Sequence, residues 1–85
     1  MIELAFYLAT PGEEPSFLSE EFWPGIPTQG EDITLDGVEG GFMVVQRGWE
    51  SFTHEDIKRV LIKVYVCRPD KWWYYRAALR QRDGG

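Results

Sequence analysis

Alternation of apolar and polar positions is the strongest signal along this chain. Ile2, Leu4, Phe6 and Leu8 fall on one side of residues 2–8 with Glu3, Ala5 and Tyr7 on the other, the period-two pattern of a strand. Thr10-Pro11-Gly12 stops it, proline pre-setting a turn and glycine accepting a positive φ. Residues 16–23 carry polar caps and early acids around Phe17, Leu18, Phe22 and Trp23, which predicts a short helical turn. Pro24-Gly25-Ile26-Pro27 ends that turn, and an irregular stretch runs to Gly30. Residues 32–35 form a short strand closed by Asp36-Gly37, a hairpin dipeptide. Gly40-Gly41 opens a strand over 42–49, where Gly48 suggests a bulge or bend. Residues 51–56 read as a polar connection.

The clearest strand follows at 59–67, with Val60, Ile62, Val64 and Val66 on one face and Leu61, Lys63, Tyr65 and Cys67 on the other. Pro69 ends it. From about Asp70, a plausible N-cap, Trp72, Tyr75 and Leu79 recur at helical spacing and Arg76, Arg80 and Arg82 gather toward the far end. Cations there suit the helix dipole, although Trp72-Trp73-Tyr74-Tyr75 also has strand propensity. The helix is preferred. Together the elements predict one domain over residues 1–85, mainly β in the α+β class: a small bent antiparallel meander or partly open barrel with a C-terminal helix.

The span Pro27, Gly30-Glu31-Asp32-Ile33, Leu35 and Gly37, followed by Phe42, Val44, Arg47 and Trp49, resembles small uncharacterised prokaryotic and phage proteins with SH3-like β-barrels. The resemblance covers residues 24–67. It implies a fold and no activity, and it places Glu31 and Asp32 on a loop entering the first hairpin, where such barrels carry binding contacts.

Composition narrows the function. The chain has 85 residues, 44% of them hydrophobic and 15% aromatic, enough bulky rings to build one small core. A single cysteine, Cys67, excludes an internal disulfide and a thiolate zinc cluster and favours a reducing, cytoplasmic compartment. An acid at Glu3 and no long apolar run argue against a signal peptide or a membrane span. Charge is divided sharply. Residues 1–56 hold twelve acids and one base, Arg47, whereas residues 57–85 hold eight bases and two acids, leaving a net charge of −5.

Candidate chemistry is sparse. His54-Glu55-Asp56 is the one histidine beside acids, and a solvated loop accounts for it better than a metal or base. Cys67 lacks a base nearby in sequence and reads as a buried strand cysteine. The glycines match no phosphate or dinucleotide loop. No catalytic residue, metal ligand or cofactor is expected. Function is therefore expected to be non-enzymatic: an interaction module whose acidic surface engages a basic protein partner, in a phage setting an inhibitor imitating nucleic-acid phosphates. Glu31, Asp32 and Asp36 are the expected acidic contacts, and Trp73 and Tyr74 are expected to form an exposed contact patch, since one helix cannot bury all its sides. A homodimer joining acidic and basic parts also fits the charge layout. Two alternatives remain. The first is a carrier or accessory protein using Gly84-Gly85; the second is a nucleic-acid binder through the basic aromatic tail, disfavoured by the acidic body.

Overall fold

The computed structural model describes the backbone of residues 1–83 and the side chains of residues 1–79. Gly84-Gly85 and the side chains of Arg80 and Arg82, on which the carrier and tail readings partly rest, lie outside the described residues. Five strands are followed by one helix: β1 (Ile2–Leu8), β2 (Ser16–Trp23), β3 (Asp32–Leu35), β4 (Val38–His54), β5 (Ile57–Cys67), a 3-10 turn (Pro69–Lys71) and α1 (Trp72–Asp83). The strands make one sheet in the order β2-β1-β5-β4-β3. The chain is mainly β with a C-terminal helix, as its pattern predicts.

The expected antiparallel meander is corrected at its centre. β1 and β5 pair in parallel, Leu4 opposite Ile62 through Leu8 opposite Val66. The sheet is therefore mixed, and it does not close into a barrel. Sequence-distant strands meet here without a direct connection, so no turn residue could announce the pairing. Residues 16–23 are also corrected, from helical turn to edge strand. β1 exposes a row of unpaired backbone groups on that side, and pairing by β2 from Ile2–Trp23 to Leu8–Ser16 satisfies them. Tertiary pairing overrides local preference.

One face of the sheet carries the core. Leu4 and Phe6 from β1, Val64 and Val66 from β5, Phe42 and Val44 from β4, and Ile33 and Leu35 from β3 form one buried cluster. Ile2, Leu8, Trp23, Ile26 and Val38 pack around it, and the Trp23 ring lies 5.1 Å from Phe6. The sheet curls to enclose these residues. Its two edges come within hydrogen-bond reach: Glu21 on β2 accepts the Asp36 backbone N–H at 3.1 Å from the turn after β3. The same carboxylate accepts Ser19 Oγ at 2.9 Å and the Trp23 indole N–H at 3.1 Å. It bridges a gap that no strand ladder spans.

The expected bulge at Gly48 is also corrected. The register shifts between Val44 and Gln46, so Val45 is the extra residue; Val44 belongs to the core cluster and Val45 faces Tyr65 and Tyr75 across the sheet's other face. Gly48 instead pairs regularly with Lys63.

Candidate functional site

The three expected acidic contacts sit at one edge of the sheet, each in a different setting. The Glu31 carboxylate accepts the Thr28 backbone N–H at 2.7 Å and the Thr28 hydroxyl at 3.3 Å. It locks a turn whose Gly30 has φ +85°, a conformation that glycine adopts without strain. The turn is tied to β4 on both sides, by Gly30 N–H donating to Val44 C=O at 2.8 Å and Val44 N–H donating to Glu31 C=O at 3.0 Å. Asp32 opens β3 opposite Met43 and borders an open 230 Å³ pocket with Ile33, Thr34, Gly41, Phe42 and Pro69. Asp36 lies in the hairpin turn before Gly37, whose φ is +75°. All three acids are exposed.

The helix begins beside this edge. The Trp72 ring comes within 3.6 Å of where a Cβ on Gly30 would stand, an ordinary van der Waals distance, so the helix root packs against this turn. Arg68, just before the 3-10 turn, donates from Nη1 to Glu39 C=O at 2.9 Å and lays its guanidinium 4.4 Å from the Phe42 ring centre. Trp72 and Tyr75 are half-buried, while Trp73 and Tyr74 are 67% and 43% exposed. Those two rings meet edge to face with centres 6.0 Å apart. A common end of the fold thus carries the acidic β3 edge and the root of an aromatic helix.

The sheet's other face holds a second aromatic group. Tyr7 lies 5.7 Å from Phe17 and 5.8 Å from Tyr65. Lys63 Nζ stands 5.4 Å from the Tyr7 ring centre and 2.8 Å from Glu50. That carboxylate hydrogen bond raises the Lys63 pKa, against the smaller opposing effect of desolvation. Beside it an open depression of 330 Å³ is lined by Ala9, Pro15, Val45, Gln46, Tyr65 and Tyr75. Burial pushes the Tyr75 hydroxyl upward, with Cys67 and Tyr74 adding to the shift. Its lining offers hydroxyl, amide and apolar surface.

Cys67 is fully buried. Desolvation first, and the Asp70 carboxylate second, push its thiol up to about 11, away from the range of a reactive thiolate. His54 stands at the opposite end of the same hairpin, opposite Ile57. Ile57 and Cys67 are the two ends of β5, ten residue steps or about 33 Å apart at the usual rise. The two groups cannot act together. Among the described residues, no three of His, Cys, Asp and Glu gather in an arrangement that could hold a metal.

One feature was not foreseen. Residues 51–56 are not a polar connection but the end of a long hairpin arm, with β4 and β5 paired from Met43–Cys67 out to His54–Ile57. Every residue from 46 to 60 except Gly48 is exposed. Trp49, Phe52, Ile57 and Val60 are 57%, 45%, 55% and 59% exposed. Directly opposed residues share a face, so Trp49, Ile62 and Val60 continue the core face beyond the core. Arg47, on that face opposite Val64, holds its guanidinium 5.9 Å from the Trp49 ring centre. The sequence did signal the arm: Val60 belongs to the core-type row of β5, and Trp49 alternates in step with it.

Compared with known proteins, the chain matches no family model, no curated protein and no solved structure.

Proposed function

We propose that this protein is a non-enzymatic protein-interaction module of the cytoplasm, whose acidic surface engages a basic protein partner. The observation carrying this reading is the exposure of its acids. Of the acids in residues 1–79, all but Glu21 are exposed, and one, Glu50, forms an ion pair with a lysine or arginine among the described residues. A field of uncompensated carboxylates on a small rigid body attracts cationic surfaces. The β3 edge concentrates it, with Glu31 and Asp32 at the entrance and Asp36 at the turn. Trp73 and Tyr74, on the helix whose first residue Trp72 lies near Gly30, supply exposed apolar area of the kind that anchors interfaces. A nucleic-acid-binding protein is a natural partner class, because carboxylates at strand spacing can occupy a site built for phosphates.

Two structural readings accompany this one. The Glu21–Asp36 contact between the sheet edges supports treating the fold as a partly open barrel, while the parallel β1–β5 pair departs from an antiparallel SH3-like one. Among the described residues no helix is long and apolar enough to cross a membrane. The test is capture from a lysate at low salt, followed by identification of bound material after nuclease treatment. Retained basic proteins support the proposal. Retained DNA or RNA without a protein would transfer the site to the aromatic, cationic C-terminal segment.

A further inference from the structure

The hairpin arm breaks three habits of a stable free surface. It is long, its outer edge is open, and its apolar side chains face water. β3 pairs with β4 only from Val38 to Met43, and the turn at 28–31 covers Val44 and, through Gln29 Nε2 donating at 3.0 Å, the Val45 C=O. From Gln46 to His54 no further strand lies beside β4 among the described residues. A two-stranded ribbon is marginal by itself in water, and an open apolar edge is a template for another strand. The molecule is also extended. Its radius of gyration is 13.8 Å with a longest extent of 41 Å, against about 12 Å for a compact chain of this length.

Charge decides what kind of strand fits. The protein carries −5 overall, yet residues 46–60 hold Arg47, Lys58 and Arg59 against Glu50, Glu55 and Asp56 and are neutral. A basic partner gains nothing there. A second copy meets no net repulsion there, as it would elsewhere on the acidic body. We infer that two copies pair antiparallel along the open edge of β4, forming a two-fold symmetric dimer with a continuous four-stranded arm. A closed two-fold contact uses the same strand from each side, so each register has one residue on the axis. With Glu50 on the axis the two Glu50 carboxylates oppose each other, which is unfavourable. With Ser51 on the axis, residues 48–54 pair, Trp49 stands opposite Thr53 of the second copy, and Arg47 reaches Glu55 at the second copy's tip. That register opposes no like charges and matches Arg47, the one lysine or arginine of β4, to an acid. It also sets the two Ser51–Val60 pairs side by side, extending the apolar face of the arm across the axis.

Sedimentation equilibrium of the full chain, with circular dichroism as a check on folding, tests the assembly. A dimer at micromolar to hundred-micromolar concentration is expected, and a monomer throughout that range overturns the proposal. Within the dimer, Arg47→Glu should weaken association about tenfold, because two symmetric attractions become repulsions. Arg47→Glu combined with Glu55→Arg should restore it to within about twofold. A dimer indifferent to both changes rules out this interface. Geometry is read by mild oxidation: S51C should cross-link two copies efficiently, since opposed strand residues approach within disulfide range. G48C, displaced three positions from the axis, should not, and equal cross-linking of both would overturn the register. Buried Cys67 is shielded from this chemistry.

Discussion

At the residue scale, position relative to the core decides what each side chain contributes, and β5 shows it in a single row. Val64 is completely buried, whereas Val60, on the same face four residues earlier, is 59% exposed. Val64→Ala should cost about 1–3 kcal/mol in chemical unfolding, as lost burial plus cavity. Val60→Ala should cost under about 0.5 kcal/mol for a monomeric arm at low protein concentration. Equal costs would mean that the arm folds back on the body. Cys67 gives a pH-dependent counterpart. Its thiol is raised from the ordinary 9.0 to about 11 in the folded state, so between those values the folded chain holds a proton that the unfolded chain has lost. Stability should therefore fall as pH rises from about 9 toward about 11. Unfolding midpoints at pH 8 and pH 10.5 should differ more for the natural chain than for Cys67→Val. An identical pH response in the two proteins would show that the thiol is not desolvated.

At the element scale, the β4–β5 hairpin turns through Glu55 and Asp56, whose φ values are 52° and 62°. Both lie in the left-handed region, where non-glycine residues are disfavoured, and two such residues in succession suit a type I′ hairpin turn, which prefers Asn-Gly. Glu55→Asn with Asp56→Gly should therefore stabilise the arm by about 0.5–1.5 kcal/mol, read as slower hydrogen exchange of the amides at residues 50–60. Unchanged exchange would mean that the strain is relieved in some other way. The same turn explains why the arm escaped the sequence reading. At Asp36-Gly37 the dipeptide carries the usual glycine, and the β3–β4 hairpin is where the sequence places it. At Glu55-Asp56 that signal is absent, and Ser51, Thr53 and His54 look like loop residues. β5 was legible because it alternates without interruption, and α1 because its aromatic spacing follows a Pro69 stop. β2 was not. It forms because it pairs with the open side of β1, and pairing across the chain leaves no mark on local composition. The acids of the candidate site could be read as exposed because turns and short strands leave them little else. That Glu21 would instead tie two edges together depended on how the sheet curls.

At the scale of the whole molecule, the fold spreads acids over its surface and gives two of its bases roles within the fold. Lys63 is engaged with Glu50 and Tyr7, and Arg68 with Glu39 and Phe42. The field that remains should steer a basic partner over a Debye length of about 8 Å at physiological salt, and the structure identifies which acids can be reversed cleanly. Glu31 is a poor choice because its carboxylate holds the Thr28 turn. No hydrogen bond or ion pair involves the side chain of Asp32 or Asp36 among the described residues, and the contact to Glu21 uses the Asp36 backbone. Asp32→Lys with Asp36→Lys should thus leave the fold intact and change mainly the approach of the partner. Association of the captured partner, followed by surface plasmon resonance, should slow by about tenfold or more at low salt while dissociation changes by less than about threefold. Raising the salt should shrink the difference, because screening removes steering before it removes close contact. A large effect on dissociation with little salt dependence would mean that these carboxylates are buried in the interface as direct contacts. No effect on either rate would place the partner away from the β3 edge, with the exposed rings of Trp73 and Tyr74 the next surface to mutate.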